Sequence, residues 1–397
     1  KLQSLAKMTS SVDSHSSTET TREEKKIHIA IDNKLYDLTH FADVHPGGRI
    51  ILKDFDETDA SEPFYAIHSQ NAVKMLENLK RRDLAPEERL PKKPYFKLAA
   101  EMEAGGFFKP NYFIETLLIS HTLILYFVAV LLNEERPFLA CIALGIATMS
   151  GGWVGHHLDH SRDSPLRAIG NFYSPLLCGF SPSWWSNKHN RHHVSCNETG
   201  NDGDIQLMPF IYLWMPERYQ DRWNRRFQHL YFGILYTILH MKWQYDSVNY
   251  AIRTRNWREI YLLSIHFLLY AILFKVKVVL FGVLISGTIT AFIVTANHQA
   301  EEKITSKRDL VETNAGQEVK SRYEINDYAK QQLLTTRNIT TYNWILNYIC
   351  GGMQYQIEHH IFPRVPLYKL SEVRPFVQRY CEEHNIQYKE EGFWEML

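Results

Sequence analysis

The chain has few cysteines, and none of them forms a motif. Its 397 residues include five cysteines and no CxxC pair. This spacing excludes a disulfide ladder and the usual thiolate zinc sites, and it indicates a reducing compartment. No CxxCH segment occurs either, which excludes a haem attached through thioether bonds. The five positions are Cys141, Cys178, Cys196, Cys350 and Cys381.

An excess of charge of either sign is also lacking. The 44 Lys and Arg residues balance 44 Asp and Glu residues, so nothing indicates a nucleic-acid partner. Residues 1–24 are rich in Ser and Thr and contain no apolar run. We therefore expect no secretory signal there, and we predict that this segment is disordered.

Four apolar stretches predict an integral membrane domain. They cover residues 113–132, 137–155, 260–274 and 278–297, and most approach the about 20 residues that a transmembrane helix needs. They form two hairpins, so residues 111–397 are predicted to be all-α, with about four transmembrane helices and a cytosolic cap. Aromatic residues make up 13% of the chain, as is common where side chains lie at a membrane–water boundary.

The segment between the two hairpins gives the predicted orientation. It is rich in arginine, and positively charged loops tend to stay in the cytosol. With four spans, both termini then lie on the cytosolic side, and the sequons at Asn197 and Asn338 are predicted to be unmodified. Residues 230–241 are apolar but too short to span, so we expect them in the interface or packed on the core. The arginines are Arg218, Arg222, Arg225, Arg226, Arg253, Arg255 and Arg258.

The N-terminal region predicts a small soluble α+β domain over residues 25–83. Ile27, Ile29 and Ile31 alternate with polar residues, which is typical of a strand. A linker at residues 84–110 follows, and its first part is polar and rich in proline, which makes it stiff.

Two histidines of this domain are candidates for haem binding. His45 begins a His-Pro-Gly-Gly segment, and His68 follows 23 residues later. Two axial imidazoles on opposite faces of a porphyrin leave no position for O2 and suit electron transfer. Either histidine alone is more typical of an ordinary turn or surface position. We expect His28 and His40 to be surface residues.

Three further histidine clusters lie close to the apolar stretches or near the C-terminus. Their histidines are three or four residues apart, which places them on one face of a helix. Imidazole suits Fe, Zn and Cu, and so many nitrogens exceed the need of one tetrahedral zinc. Two metal ions are the economical interpretation, and a redox metal explains an attached haem domain. The clusters contain His156, His157, His160, His189, His192, His193, His359 and His360, and His298 ends the fourth apolar stretch.

These motifs resemble two known families. The segments YDLTHF, HPGG and FYAIHS resemble cytochrome b5. The segments HHLDH, WWSNKHNRHH and GGMQYQIEHHIFP resemble the membrane fatty acid desaturases, and the Gln of the third cluster with a fused haem domain resembles their front-end group. The resemblance covers roughly residues 25–390. It implies a non-covalent haem b on His45 and His68. It also implies a diiron centre on His156, His160, His189, His192, His193, His298, His359 and His360.

The first cluster departs from the family pattern. That pattern usually reads His-Asp-x-x-His, whereas His157 stands here in the place of the Asp and Asp159 precedes the last histidine. His157 is therefore an alternative ligand beside His160. Gln356 is either a ligand or a hydrogen-bond partner of one. Partners that hold an imidazole in one tautomer are expected among Asp159, Asp202, Asp204 and Glu358, with a solvated carboxylate as the alternative for each.

The resemblance implies an O2-dependent front-end desaturase that forms a cis double bond in a polyunsaturated acyl chain, Delta-5-like or Delta-6-like. It also implies an acyl-CoA or phospholipid-linked substrate, NADH-cytochrome b5 reductase as electron source, and the endoplasmic reticulum membrane. Candidates to shape the substrate entrance, or else interfacial anchors, are Trp184, Trp185, Lys188 and Arg191. The alternatives are a sphingoid-base Delta-8 desaturase, a membrane 2-hydroxylase, and a non-catalytic haem electron carrier.

Overall fold

The structure is a computed structural model, and it describes residues 26–161, 164–214, 220–299, 301–304, 325 and 327–395. The chain divides into two compact units, Lys1–Lys97 and Leu98–Leu397. The predicted disorder of residues 1–24 lies outside the described residues.

The first unit contains a three-stranded antiparallel sheet. A two-residue turn joins its first two strands, and Asp32 and Asn33 in that turn have φ angles of 49° and 59°. Such angles suit a tight hairpin, and short polar side chains tolerate them. In sheet order, the strands are β1 (His28–Ile31), β2 (Lys34–Asp37) and β3 (Arg81–Asp83).

Strand β1 is more deeply buried than its alternating pattern predicts. Ile27, Ile29 and Ile31 are buried as expected, but Ala30 is buried too. The reason is a second chain segment against β1, since the Ala30 N–H donates to Thr58 O at 2.9 Å. Three short helices complete the unit, namely α1 (Arg49–Asp54), α2 (Ser61–Ile67) and α3 (Gln70–Leu76). The next helix, α4 (Tyr95–Ala104), contains the boundary between the units.

Among the described residues, three helices are long and apolar enough to cross a membrane. They are α5 (Tyr112–Leu132), α6 (Pro137–His160) and α12 (Val276–His298). The remaining predicted span forms α11 (Trp257–Leu273), with 17 residues. At 1.5 Å per residue it is about 25 Å long, a little short of the about 30 Å hydrocarbon core. The count of four spans therefore stays a prediction.

The membrane helices have buried faces that pack on one another and exposed faces that are apolar. Leu144 of α6 and Val278 of α12 are fully buried in a shared apolar cluster that also includes Tyr270 of α11. On the outer side, Phe113 and Phe127 of α5 are 72% and 61% exposed. Large exposed apolar side chains of this kind suit contact with lipid rather than with water.

Helices α6 and α12 both end in the histidine region. Helix α6 runs to His160, five residues past its apolar stretch, and α12 runs to His298, as expected. Both terminal histidines are buried, His160 at 4% and His298 at 7% exposure. A hydropathy pattern does not register that burial, because histidine is polar.

The remaining elements surround the ends of these helices. Residues 230–241 lie on α9 and α10, where Tyr236 and His240 are buried and Leu230 and Ile234 are exposed. One face of that segment thus packs inward while the other stays apolar and open. The elements are α7 (Arg167–Tyr173), a π-helix (Ser174–Cys178), α8 (Pro182–Val194), α9 (Gln228–Thr237), α10 (Leu239–Arg253), α13 (Tyr328–Thr335), β4 (Asn338–Thr340), α14 (Trp344–Cys350), α15 (Gln356–Ile361), α16 (Leu370–Glu383) and β5 (Glu390–Gly392), with β4 and β5 parallel.

Candidate haem and metal centres

The first unit brings His45 and His68 together. Their ring centres are 6.1 Å apart. Two metal–nitrogen bonds of about 2 Å each, plus about 1 Å from each nitrogen to its ring centre, give about 6 Å. The pair therefore has the spacing that two axial ligands of one iron require. The two histidines therefore fit a haem group in this unit.

Backbone carbonyls orient both rings. The Nδ1 atom of His68 lies 3.1 Å from Phe64 O, and that of His45 lies 3.5 Å from Gly48 O. With Nδ1 directed at a carbonyl, Nε2 is the nitrogen left for a metal. Burial lowers the pKa of His45, although the Gly48 carbonyl acts in the opposite direction. The imidazole is therefore held in the neutral, metal-binding form.

Glycine is required at the two positions after His45 for different structural reasons. Gly48 has φ 83°, a conformation that L side chains rarely adopt. A Cβ atom at Gly47 would lie 2.9 Å from Cε1 of His45, so any larger residue there displaces the imidazole. Gly47 thus leaves room for the histidine itself.

In the second unit, four helices deliver histidines to one buried region. Helix α8 begins at Pro182. Ser181 caps it, because Ser181 Oγ accepts the Trp184 N–H at 3.0 Å, and a proline suits the first turn. Its histidines then lie on one face three and four residues apart. The structure brings together His156 and His160 from α6, His189, His192 and His193 from α8, His298 from α12, and His359 and His360 from α15, all of them buried.

The ligand atoms form two adjoining groups. The first consists of His156, His160, His189, His193 and His359, and the second of His192, Cys196, His298 and His360. Within each group all ligand atoms lie within 4.8 Å of one another. The ring centres of His193 and His360, one from each group, are 4.3 Å apart. The arrangement suits two neighbouring metal ions rather than one.

Several buried nitrogens of these groups fit bound metal. Within the described part of the chain, both ring nitrogens of His359 and Nε2 of His360 have no hydrogen-bond partner. Such orphaned polar atoms are costly unless another ligand takes them. Burial and then the neighbouring imidazoles lower the pKa of His189, His193, His359 and His360 well below the usual range. These imidazoles are neutral, as metal binding requires.

Side-chain acceptors hold two of the rings in place. The Nδ1 atom of His192 lies 2.9 Å from Asp202 Oδ2, and that of His360 lies 2.9 Å from Gln332 Oε1. Asp202 is fully buried and also accepts the Asn197 N–H at 2.8 Å. The solvated alternative therefore does not describe Asp202. Gln332 is a contact that the sequence pattern does not reveal, because it lies outside every cluster.

His157 lies outside both groups. Its Nε2 atom is 3.2 Å from Oε1 of Glu115, near the start of α5, and its ring contacts Tyr368. Glu115 itself is 1% exposed. The ring therefore tethers α6 to α5, and its neighbours His156 and His160 take the positions within the metal groups. A carboxylate three residues into an apolar stretch was the available signal, since such groups are rarely unpaired.

Gln356 lies beside His298 of the second group. Its amide nitrogen is 2.8 Å from Nε2 of His298, and its amide oxygen accepts from Asn297 Nδ2 at 3.3 Å. Cys196 is on the other side of the same ring, with Sγ 3.5 Å from His298 Nδ1. The side chain of Gln356 thus reaches the ligand atom of His298, and its two predicted roles, as a ligand or as the hydrogen-bond partner of one, stay predictions. Cys196 has no motif around it, so only the fold reveals its position.

The three remaining acidic candidates differ in their contacts. Glu358 is fully buried and accepts from Tyr388 OH at 2.6 Å and from Asn338 Nδ2 at 2.8 Å, rather than from an imidazole. Asp204 pairs with Lys188 and lies 3.5 Å from His192 Nδ1. Asp159 is half-buried and lines a cavity beside His156.

Both sequon asparagines are structural residues of this region. Asn197 donates to the His298 carbonyl at 2.9 Å, and Asn338 Oδ1 accepts the Ile357 N–H at 2.8 Å, at the start of α15. Their exposures are 0% and 1%. Their location inside the folded protein means that an unmodified state no longer reports on which side of the membrane they lie.

The cavity beside the first group has mostly apolar walls. Trp185 forms part of it and stacks on His189, with ring centres 4.7 Å apart. Trp184 is buried next to it. Of the four predicted entrance residues, Trp185 is thus the one that lines the cavity, and it also contacts a histidine ring.

Known proteins share both parts of this chain. Residues 136–392 match the fatty acid desaturase family, and residues 10–85 match the cytochrome b5-like haem/steroid binding domain. The acyl-lipid 8-desaturase of Rebecca salina is 28% identical, over 93% of this chain and 88% of that protein. The Delta(6)-fatty-acid desaturase fat-3 of Caenorhabditis elegans is 27% identical over 93% of each chain. The Delta(5) fatty acid desaturase fat-4 of the same organism is 26% identical, over 88% of this chain and 89% of that protein.

Proposed function

The chain belongs to the fatty acid desaturase family, and from that premise we propose that it is an O2-dependent front-end desaturase. It forms a cis double bond in a polyunsaturated acyl chain, at a Delta-5-like or Delta-6-like position, and it is an oxidoreductase. One observation carries the proposal: two adjoining groups of buried imidazoles lie beside an apolar cavity in a chain with its own cytochrome b5-like domain.

We assign His45 and His68 as the ligands of haem b and the eight buried histidines of the two groups as ligands of two irons. When bound, iron supplies the activation of O2 that removal of hydrogen from an unactivated C–H bond requires, and haem supplies one-electron transfer. The spacing of His45 and His68 and the orphaned nitrogens of His359 and His360 support this assignment.

The overall reaction balances with the substrate as one electron donor and the haem domain as the other. Two adjacent methylene groups lose two hydrogens, that is, two electrons and two protons. Two further electrons arrive through the haem domain, and two protons come from solvent. Together these reduce one O2 to two waters.

The protein residues position the ligands and exclude water. Asp202 and Gln332 hold His192 and His360 with Nδ1 hydrogen-bonded, which leaves Nε2 for the metal side. Trp185 covers His189 and forms the cavity wall next to His156. Exclusion of water keeps a reactive site from side reactions. The acyl chain then lies in the cavity with two of its methylenes beside the first group.

Partners and location follow from the same proposal. The substrate is a fatty acyl group carried by CoA or phospholipid, and NADH-cytochrome b5 reductase supplies the electrons. The protein is multi-pass in the endoplasmic reticulum membrane, with both termini in the cytosol. Support comes from the exposed apolar face of α5 and from α6 and α12, which both end in the histidine region. The arginines between the two hairpins support a cytosolic location of that side.

A feeding experiment tests the proposal. Yeast expressing the protein is supplied with defined polyunsaturated fatty acids, and mass spectrometry locates each new double bond. We expect a double bond between the carboxyl group and the first existing one, and none with the His193→Ala variant. A hydroxylated product, or no product from any acid, would contradict the proposal.

Position 8 is the second candidate within the same assay. Four relatives, 24–28% identical to this chain, carry 8-desaturase names, so a product bond at position 8 has a specific precedent. Analysis of the long-chain bases of the same cells separates a sphingoid-base Delta-8 desaturase from an acyl-chain enzyme. A haem carrier without catalysis gives neither product.

A further inference from the structure

The cavity beside His156 has one wall made by α6. Gly152, His156 and Asp159 all line it, and residues four and three apart share a helix face. At 1.5 Å per residue, Gly152 lies about 6 Å along α6 from His156. The cavity therefore follows this face of α6 past the first histidine cluster.

Helix α7 and the π-helix form another wall of the cavity, and their contacts show which part of α6 each lies beside. Helix α7 and the π-helix run antiparallel to α6, because a Cβ atom added at Gly170 would lie 2.9 Å from Leu158, and one added at Gly155 would lie 2.6 Å from Ser174 Oγ. A Cβ atom added at Gly151 would lie 2.8 Å from Cys178 Sγ. These close approaches place α7 beside the histidine end of α6 and Cys178 beside its membrane-embedded part.

The acidic and basic side chains that line the cavity, those of Asp159 and Arg167, lie at one end of it. Arg167 and Asn171 of α7 line it, with Asp159, at the histidine end. Cys178, Gly151 and Gly152 line it toward the middle of α6. A polar carrier group suits the first end, and the apolar methyl end of an acyl chain suits the second.

Gly152 differs from the other glycines of this wall. Gly151 and Gly155 are closed by packing, since an added Cβ atom would collide with a neighbour. A Cβ atom at Gly152 meets no described atom within 4 Å. Gly152 is half-buried and lines the cavity, so a side chain that begins there starts in open space rather than against the packed protein.

The geometry points to Gly152 as the residue that determines how far the methyl end of the acyl chain extends beyond the first histidine cluster. This assignment rests on the proposed function, because it needs an acyl chain in the cavity. A larger residue at position 152 occupies the space one helical turn from His156. It shortens the longest chain that can bind while it leaves the position of the methylenes beside the histidines unchanged.

The test measures chain-length preference. Wild type, Gly152→Ala, Gly152→Val and Gly152→Leu are assayed in yeast with polyunsaturated acids that share the carboxyl side and all double bonds but differ by two-carbon steps at the methyl end. The readout is the conversion of the longest acid divided by that of the shortest. Because one methylene in an apolar pocket changes selectivity by about tenfold or more, we expect the ratio to fall at least about tenfold in Gly152→Leu, with smaller falls in Val and Ala.

The matched control is Gly233→Leu. Gly233 is also a helical glycine with room for a side chain, since its added Cβ atom lies 4.0 Å from the nearest atom, Cζ of Phe292. It does not line the cavity. The gain in helix propensity is the same at both positions, so Gly233→Leu is expected to keep the wild-type ratio.

Each outcome decides between distinct conclusions. An unchanged ratio in all three Gly152 variants that retain activity overturns the inference. A moved double bond with an unchanged ratio also overturns it, because the carboxyl side then occupies the end near Gly152. If wild type converts none of the acids, the proposed function itself fails. The graded series keeps the test decisive if the Leu variant does not accumulate, because the Ala and Val variants still report the ratio.

Discussion

The two regions that use histidine in this protein do so in opposite ways. In the haem unit, His45 and His68 are half-buried and directed at backbone carbonyls. In the membrane unit, all eight histidines of the two metal groups are buried, and side chains such as Asp202 and Gln332 hold them. An electron-transfer haem has to be reached by a donor, whereas a site that activates O2 has to exclude water. The difference in burial between the two sets of histidines matches these two requirements.

The difference also concerns how each site depends on its metal. Backbone carbonyls orient His45 and His68, the proposed haem ligands. The histidine cluster instead contains buried nitrogens, on His359 and His360, that have no partner among the described residues. Because unpartnered buried polar atoms are costly, metal binding contributes more to the folding of the cluster.

The largest effect is expected at the centre of the cluster. The ring of His193 contacts those of His160, His189, His359 and His360. His193→Ala should reduce desaturation by at least about 100-fold, the upper range for supporting residues alone, and should remove the non-haem iron. Metal analysis of the purified protein should then give only the iron that the haem accounts for, product analysis measures desaturation, and the haem absorbance spectrum should not change. The exposed His229 serves as control, since His229→Ala should keep the non-haem iron. Retained non-haem iron in His193→Ala would remove His193 from the ligand set.

In the haem unit we expect the opposite result, with haem lost and the cluster iron kept. His68→Ala should abolish the haem absorbance spectrum and leave the iron content of the cluster intact, because the two sites use different ligands. Desaturation should fall to whatever rate external donors support. His40→Ala is the matched control on the surface of the same unit and should keep haem. An intact haem spectrum in His68→Ala would disprove the axial assignment.

A smaller effect is expected for the residue that holds His192. Asp202→Asn keeps the shape of the side chain but removes the carboxylate 2.9 Å from Nδ1 of His192. We expect iron affinity and activity to fall about 10–100-fold. Asp204→Asn, on a partly exposed residue 3.5 Å from the same ring, should change them much less. Equal effects of the two variants would assign the role to overall charge instead.

The smallest effect is expected at His157. His157→Gln should retain iron and activity but lower the free energy of unfolding by about 1–3 kcal/mol, because Glu115 loses a buried partner. Metal analysis and thermal unfolding in detergent measure the two quantities. Glu115→Gln should have a similar effect on stability. Loss of iron in His157→Gln would make it a ligand and restore the alternative interpretation of the first cluster.

The histidine clusters could be recognised from the sequence because helical spacing repeats within each one. The spacing of three and four residues in His189, His192 and His193 is a local property of α8, and so is the apolar length of α5. The same spacing predicts a helix through His156 and His160, where hydropathy alone ends the span at residue 155. Gln332 was hidden, because it comes from a distant part of the chain, and Glu115 gave only the signal of a carboxylate within an apolar stretch, without its partner His157.

Sequence alone determined what is local in this protein: the apolar helices, the two haem-ligand candidates and the helical faces that carry histidine. Local spacing suffices for these features because a helix places residues three or four apart on one side. Only the tertiary structure decided what depends on contacts between distant segments. It grouped the histidines into two neighbouring sets, turned His157 toward Glu115, and left Gly152 facing a cavity while Gly151 and Gly155 were closed by packing.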